Sequence, residues 1–231
     1  MAGRLLPVLG GLAGLAGPAA FTAAWAVSSL LQTGHAATEV QISGLAAPDA
    51  RDPWIMTTGF VVLGCCSVVF GTALHRELGG SGQEGWGRRE GWVGRAGGGP
   101  RLIQAAGLLT VAAGLLRRDR MLLTAPAHES WHNHAHDVVS ALIYVALIAA
   151  PLLLARRFRG DPWWGGLRWP LVGAGLATAA VLVVFFTGAF ASSAGLLQRI
   201  GVSVPLAAVC AVAARLLAVG SEPQPGPERR R

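Results

Sequence analysis

Lysine is absent from this 231-residue chain, and charged residues of every kind make up only 13% of it. A soluble domain carries about 25% charged residues, so little here would furnish a water-facing surface. Cysteine is scarce as well. Cys65, Cys66 and Cys210 all lie inside apolar runs without metal-ligand spacing, and read as small residues facing helix neighbours. What is abundant is apolar: 52% hydrophobic residues and a mean hydropathy of +0.49.

The net charge of +7 rests on 19 basic residues, every one an arginine. In a soluble protein such a balance would suggest nucleic acid as a partner. Here the arginines sit at the edges of apolar runs, where lipid headgroups would meet them. Membrane lipids are therefore the expected partners, and nucleic acid is not.

Six apolar runs approach the roughly 20 residues that a helical crossing needs. They are Leu5–Leu31, Trp54–Leu74, Leu102–Leu116, Val138–Ala155, Pro170–Ala191 and Ile200–Val219. The third is short, closed by Arg101 and by Arg117 and Arg118; it spans if those arginines snorkel or if the helix continues through Met121–Leu123. Trp54, Trp131, Trp163, Trp164 and Trp169 lie near the proposed ends, as an interfacial aromatic belt requires. Arg4 and Ala24-Trp25-Ala26 resemble parts of a signal peptide, but the apolar run continues to Leu31, which favours a retained helix. The expected fold is an all-α polytopic bundle of six transmembrane helices occupying residues 1–220 as a single domain.

Orientation follows from arginine counts in short loops. With the N-terminus cytoplasmic, 13 arginines fall on the inner side and 5 on the outer: Arg51, Arg117, Arg118, Arg120 and Arg199. Both termini are then cytoplasmic, and the plasma membrane is the expected location. Residues 77–100, rich in glycine, read as a flexible cytoplasmic connector, and residues 221–231 as a disordered cytoplasmic tail. The connector's Gly79-Gly80-Ser81-Gly82 and Gly97-Gly98-Gly99 lack the lysine and hydroxyl of a phosphate loop. Gly10 with Gly14, and Gly173 with Ala177, have the spacing that lets helix backbones approach closely.

The densest polar cluster is His128-Glu129-Ser130-Trp131-His132-Asn133-His134-Ala135-His136-Asp137. On a helix His128, His132 and His136 share one face, and imidazoles at that spacing bind a metal. A divalent metal such as zinc, completed by Asp119 or Glu129, is one reading. A non-metal polar site and a solvated helix end are the others. The metalloprotease signature, with glutamate directly after the first histidine, is not matched by His132-Asn133-His134-Ala135-His136.

Further elements extend this pattern. Ile42-Ser43-Gly44-Leu45 precedes Trp54-Ile55-Met56 and Gly59-Phe60-Val61-Val62-Leu63-Gly64; Asp119 follows the third run, His132 and His136 enter the fourth, and Gly195-Leu196-Leu197-Gln198-Arg199 precedes the last. In order and spacing these resemble domain of unknown function family 998, bacterial and archaeal membrane proteins, over roughly residues 20–218. The chain departs from that pattern at Gly44 and Gln198, where the family commonly has acidic residues, and at Arg118. The resemblance implies a multi-pass membrane protein and no particular activity.

With six spans, the first, third and fifth loops share the outer side. Ser43, Asp119, His132, His136, Gln198 and Arg199 are then expected to converge there. Ser43, Asp119, His132 and His136 are the candidate catalytic residues. Arg118, Arg120, Gln198 and Arg199 are candidates for binding an anion or lipid phosphate. Three function classes remain: a membrane protein binding a lipid or small anionic ligand, an intramembrane lipid hydrolase or transferase (with or without metal), and a transporter. The last is weakest, because no helix carries a line of charges.

Overall fold

The computed structural model describes residues 2–34, 36–80, 97–120 and 129–221. They form six α-helices: α1 (Ala2–Leu31), α2 (Pro53–Gly80), α3 (Gly98–Leu115), α4 (Trp131–Arg157), α5 (Arg168–Phe186) and α6 (Ala194–Ser221). A buried 3-10 turn, Ile42–Ala46, lies between α1 and α2. Each expected apolar run becomes a helix. The ends differ where polar residues supply the helix boundary. Thus α4 begins at Trp131, because the Ser130 side chain accepts from the Asn133 amide and satisfies one of the amides left free at a helix start. On the connector side, α2 runs to Gly80 and α3 begins at Gly98; the rest of the Gly-rich connector, the Met121–Leu123 stretch and the tail lie outside the described residues.

Every helix packs against the next in sequence, and α6 packs back on α1. The bundle is therefore a closed ring of sequence neighbours, with α4 and α6 also touching across it. The closest approaches use glycine. Gly64 of α2 and Gly107 of α3 face each other's carbonyls so closely that a Cβ on either would collide. Gly10 packs on Ala73 and Gly14 on Ala213 and Phe70, so this pair does seat α1 between α2 and α6. A Cβ added at Gly173 would meet nothing within 4 Å and Ala177 is exposed, so their spacing serves no packing among the described residues.

Two apolar clusters fill the ring. One joins Phe70, Leu74, Leu154, Phe158, Trp164 and Leu216; the other joins Phe21, Ile42, Leu45, Met56, Phe60 and Leu206. Trp164 thus belongs to the core and not to an interfacial belt: it is buried and stacked on Phe158, ring centroids 5.0 Å apart. Trp54, Trp131, Trp163 and Trp169 are exposed near helix ends, as expected. The cysteines split too, for Cys65 faces outward whereas Cys66 and Cys210 are partly buried.

The outside of the ring is apolar as well, with Leu12, Leu108, Val145 and Val183 exposed. So much exposed hydrocarbon suits a bilayer and not water. Five of the helices, all but α3, are long and apolar enough to cross a membrane.

Candidate functional site

The described parts of the 32–52 and 116–130 connections meet each other, the start of α4 and the first turns of α6 at one end of the ring, the cap end. Arg199, in the first turns of α6, anchors the meeting. Its Nη1 donates to the Val40 carbonyl at 2.7 Å and the Gly195 carbonyl at 2.9 Å, and its Nη2 to Ser29 Oγ at 2.9 Å. The guanidinium lies over the Trp25 ring, 5.3 Å from the centroid. It is only 7% exposed, and its Nε has no partner among the described residues. Gly195 has no side chain because one would strike the Val40 carbonyl. Next to it, Gln198 accepts from the Ile42 amide through Oε1 and donates through Nε2 to the Tyr144 hydroxyl at 2.9 Å. The Gly-Leu-Leu-x-Arg element is thus a staple that holds the first connection onto α6.

Arg118 makes a second staple. Its Nε donates to Asn133 Oδ1 at 3.1 Å and its Nη1 to Gln41 Oε1 at 3.0 Å, while Nη2 pairs with the Asp137 carboxylate at 3.2 Å. The fork therefore ties the first connection and the third to the start of α4. Asp119 completes the join. Its two carboxylate oxygens accept from the Ser130 backbone amide and hydroxyl, each at 2.7 Å. These bonds to Ser130, with smaller help from His132 and Arg118, hold the Asp119 carboxyl below the usual carboxylate range.

His136 serves α3. Its Nδ1 lies 3.0 Å from the Ala113 carbonyl and 2.8 Å from the Leu116 carbonyl. Both belong to the end of α3, where carbonyls have no helical partner. Two acceptors at one nitrogen require that Nδ1 carry a proton, which it donates to both carbonyls. A short helix such as α3 can end among apolar neighbours because this buried imidazole satisfies its last carbonyls.

Beneath the cap lies a cavity of about 110 Å³ in the middle of the ring. Its wall is mostly hydrocarbon, from Phe21 and Ile42 near the cap down to Leu154, Leu171 and Val212. Pro151 and Pro205 both line it, each removing one helix hydrogen bond from its wall. The polar lining includes Ser43, His136, Ser140, Tyr144 and Gln198. His136, Ser140 and Tyr144 are spaced four residues apart, which makes a polar strip along one face of α4.

The candidate residues therefore separate. Ser43, His136 and Gln198 reach the cavity, whereas Asp119, Arg118 and Arg199 are not in its lining. His132 is exposed and stacked on Trp131, centroids 3.7 Å apart, and Arg120 is exposed. Because His132 turns to that ring while His136 turns to α3, the two imidazoles are occupied in different places. Among the described residues no three His, Cys, Asp or Glu side chains gather as metal ligands; His128 lies outside them. Protein groups hold the Arg118 fork and both terminal nitrogens of Arg199, and Arg199 Nε alone is left without a partner among the described residues. Sequence reasoning missed Gln41, Ser29 and Tyr144. Only Tyr144 carried a visible signal, as the sole tyrosine of the chain set inside an apolar run.

An all-helical ring with hydrocarbon outside and five helices able to cross a bilayer defines a multi-pass membrane protein. The family profile described as "Protein of unknown function (DUF998)" matches residues 15–215, and the chain belongs to that family. No curated protein and no solved structure matches it.

Proposed function

We propose that this protein crosses the cell membrane six times with both termini cytoplasmic, and that its central cavity holds a lipid-class ligand beneath the cap. The cavity carries this reading: a mostly hydrocarbon-walled space inside the ring with a few polar side chains is the usual form of a site for an amphiphile. The sixth span is α3, whose 18 residues extend about 27 Å, close to the roughly 30 Å of a bilayer's hydrocarbon core. The arginine asymmetry supports the orientation, placing the cap on the extracytoplasmic side. A hydrolase reading is less well supported, because Ser43 and His136 share the cavity wall while Asp119 is committed to Ser130.

Native mass spectrometry of the purified full chain tests the ligand reading. It should retain a copurifying lipid through detergent exchange, and Ala208→Phe, which fills the cavity from α6, should abolish retention with the protein still folded. Unaltered retention in that variant would remove the cavity as the site. For orientation, single cysteines placed at Gly82 and Ser221 in a cysteine-free background should resist an impermeant thiol reagent in intact cells. Labelling of either would reverse the topology.

A further inference from the structure

We infer that the occupant of this cavity is an uncharged single-chain amphiphile whose head oxygen accepts the Tyr144 hydroxyl proton; the inference rests on the cavity reading above. Its support is the difference between what the cavity wall offers and what the cap has already used. No arginine, aspartate or glutamate lines the cavity. Neither cap arginine lines it: Arg118 is paired with Asp137 and bonded to Gln41 and Asn133, and Arg199, whose Nε alone lacks a partner among the described residues, turns its terminal nitrogens to Val40, Gly195 and Ser29. A phosphate or carboxylate placed in this space would lose its hydration without gaining a counter-charge, and that loss is large in a low-dielectric interior.

An uncharged oxygen meets no such penalty. The Tyr144 oxygen accepts from Gln198 Nε2, which orients the phenol, and among the described residues its own proton meets no acceptor. A buried donor without a partner is costly and is satisfied by whatever oxygen enters. Ser140, one turn before Tyr144 on α4, adds a second hydroxyl to the same wall. His136, one turn further toward the cap, has its Nδ1 proton directed to the carbonyls that end α3 and not into the cavity. Below Tyr144 the α4 side of the wall is hydrocarbon through Ala146, Leu147, Ala150 and Leu154, which suits a chain.

Three probes that share one isoprenoid chain decide the matter: farnesol, farnesyl phosphate and the hydrocarbon farnesene, titrated onto the purified full chain in detergent. Farnesol should bind at least tenfold more tightly than farnesyl phosphate. Tyr144→Phe should weaken farnesol about fivefold, the loss of one neutral hydrogen bond, and leave farnesene unchanged, which also shows that the variant is folded. Equal or tighter binding of the phosphate would overturn the inference, as would farnesol binding indifferent to Tyr144→Phe. Either result leaves the cavity reading intact provided that Ala208→Phe still blocks binding. Binding of all three probes unaffected by Ala208→Phe would overturn the cavity reading itself.

Discussion

The cap and the cavity beneath it are a few residues apart in sequence yet differ in how their polar groups are used. In the cap, the donors and acceptors are mostly spent on other parts of the chain: two guanidiniums, a carboxylate and an amide fasten two connections to each other and to α4 and α6. In the cavity, polar groups are few and uncharged, and Tyr144 keeps a donor in reserve. Charge here serves assembly, and uncharged polarity is what remains for a ligand. A histidine or arginine in such a protein therefore carries no functional meaning until its partners are counted.

Substitutions in the cap should lower stability without changing ligand preference, in a graded series. Arg199→Ala is the largest, expected to cost about 2–3 kcal/mol because it leaves the part-buried Val40 carbonyl without its donor and takes a donor from Ser29, whose hydroxyl keeps only its bond to the Trp25 carbonyl. Thermal unfolding in detergent reads it out. Arg118→Ala follows at about 1–2 kcal/mol, less because Asp137 is half-exposed and solvent screens the pair. Should either variant change the relative affinities of alcohol and phosphate probes, the division between cap and cavity would dissolve.

Asp119→Asn should show a smaller effect, one that depends on pH. The folded carboxyl titrates below its unfolded value, so it contributes stability above the unfolded value and loses that contribution as pH falls through the folded one. The melting temperatures of Asp119→Asn and the parent should therefore differ at neutral pH and converge in acid, below the usual carboxylate range. A gap that persists there would mean Ser130 is not held by the ionised form. His134→Ala is the smallest: the ring is exposed and only 3.5 Å from an equally exposed Glu129, so its melting temperature should match the parent's.

Much of the architecture was legible because hydropathy has a direct physical consequence in a bilayer. Six apolar runs gave six helices, and the short third run remained the outlier among them. Facing directions were less legible. Gly10–Gly14 and Gly173–Ala177 have the same spacing, yet only the first pair meets another helix; spacing places residues on one face but does not say which face turns inward. Trp164 and Trp163 are adjacent, and one is core while the other is exposed. The cap residues were recognised as a group, because the odd loops of an alternating bundle share a side. Their mutual hydrogen bonds were not, since these join residues far apart in sequence, such as Arg199 and Ser29. The cavity itself left no sequence signal, being a space shared by helices from both ends of the chain.

The closed ring bears on how the chain is made. Five of its six seams join consecutive helices and can form as each one leaves the translocation machinery. The sixth, between α1 and α6, joins the earliest helix of the ring to its latest. Gly10 and Gly14 must therefore wait, with one flank of α1 open to lipid, until Ala213 and its neighbours arrive. The interior has no boundary on that side before then, so any occupant is enclosed only after α6 has been inserted.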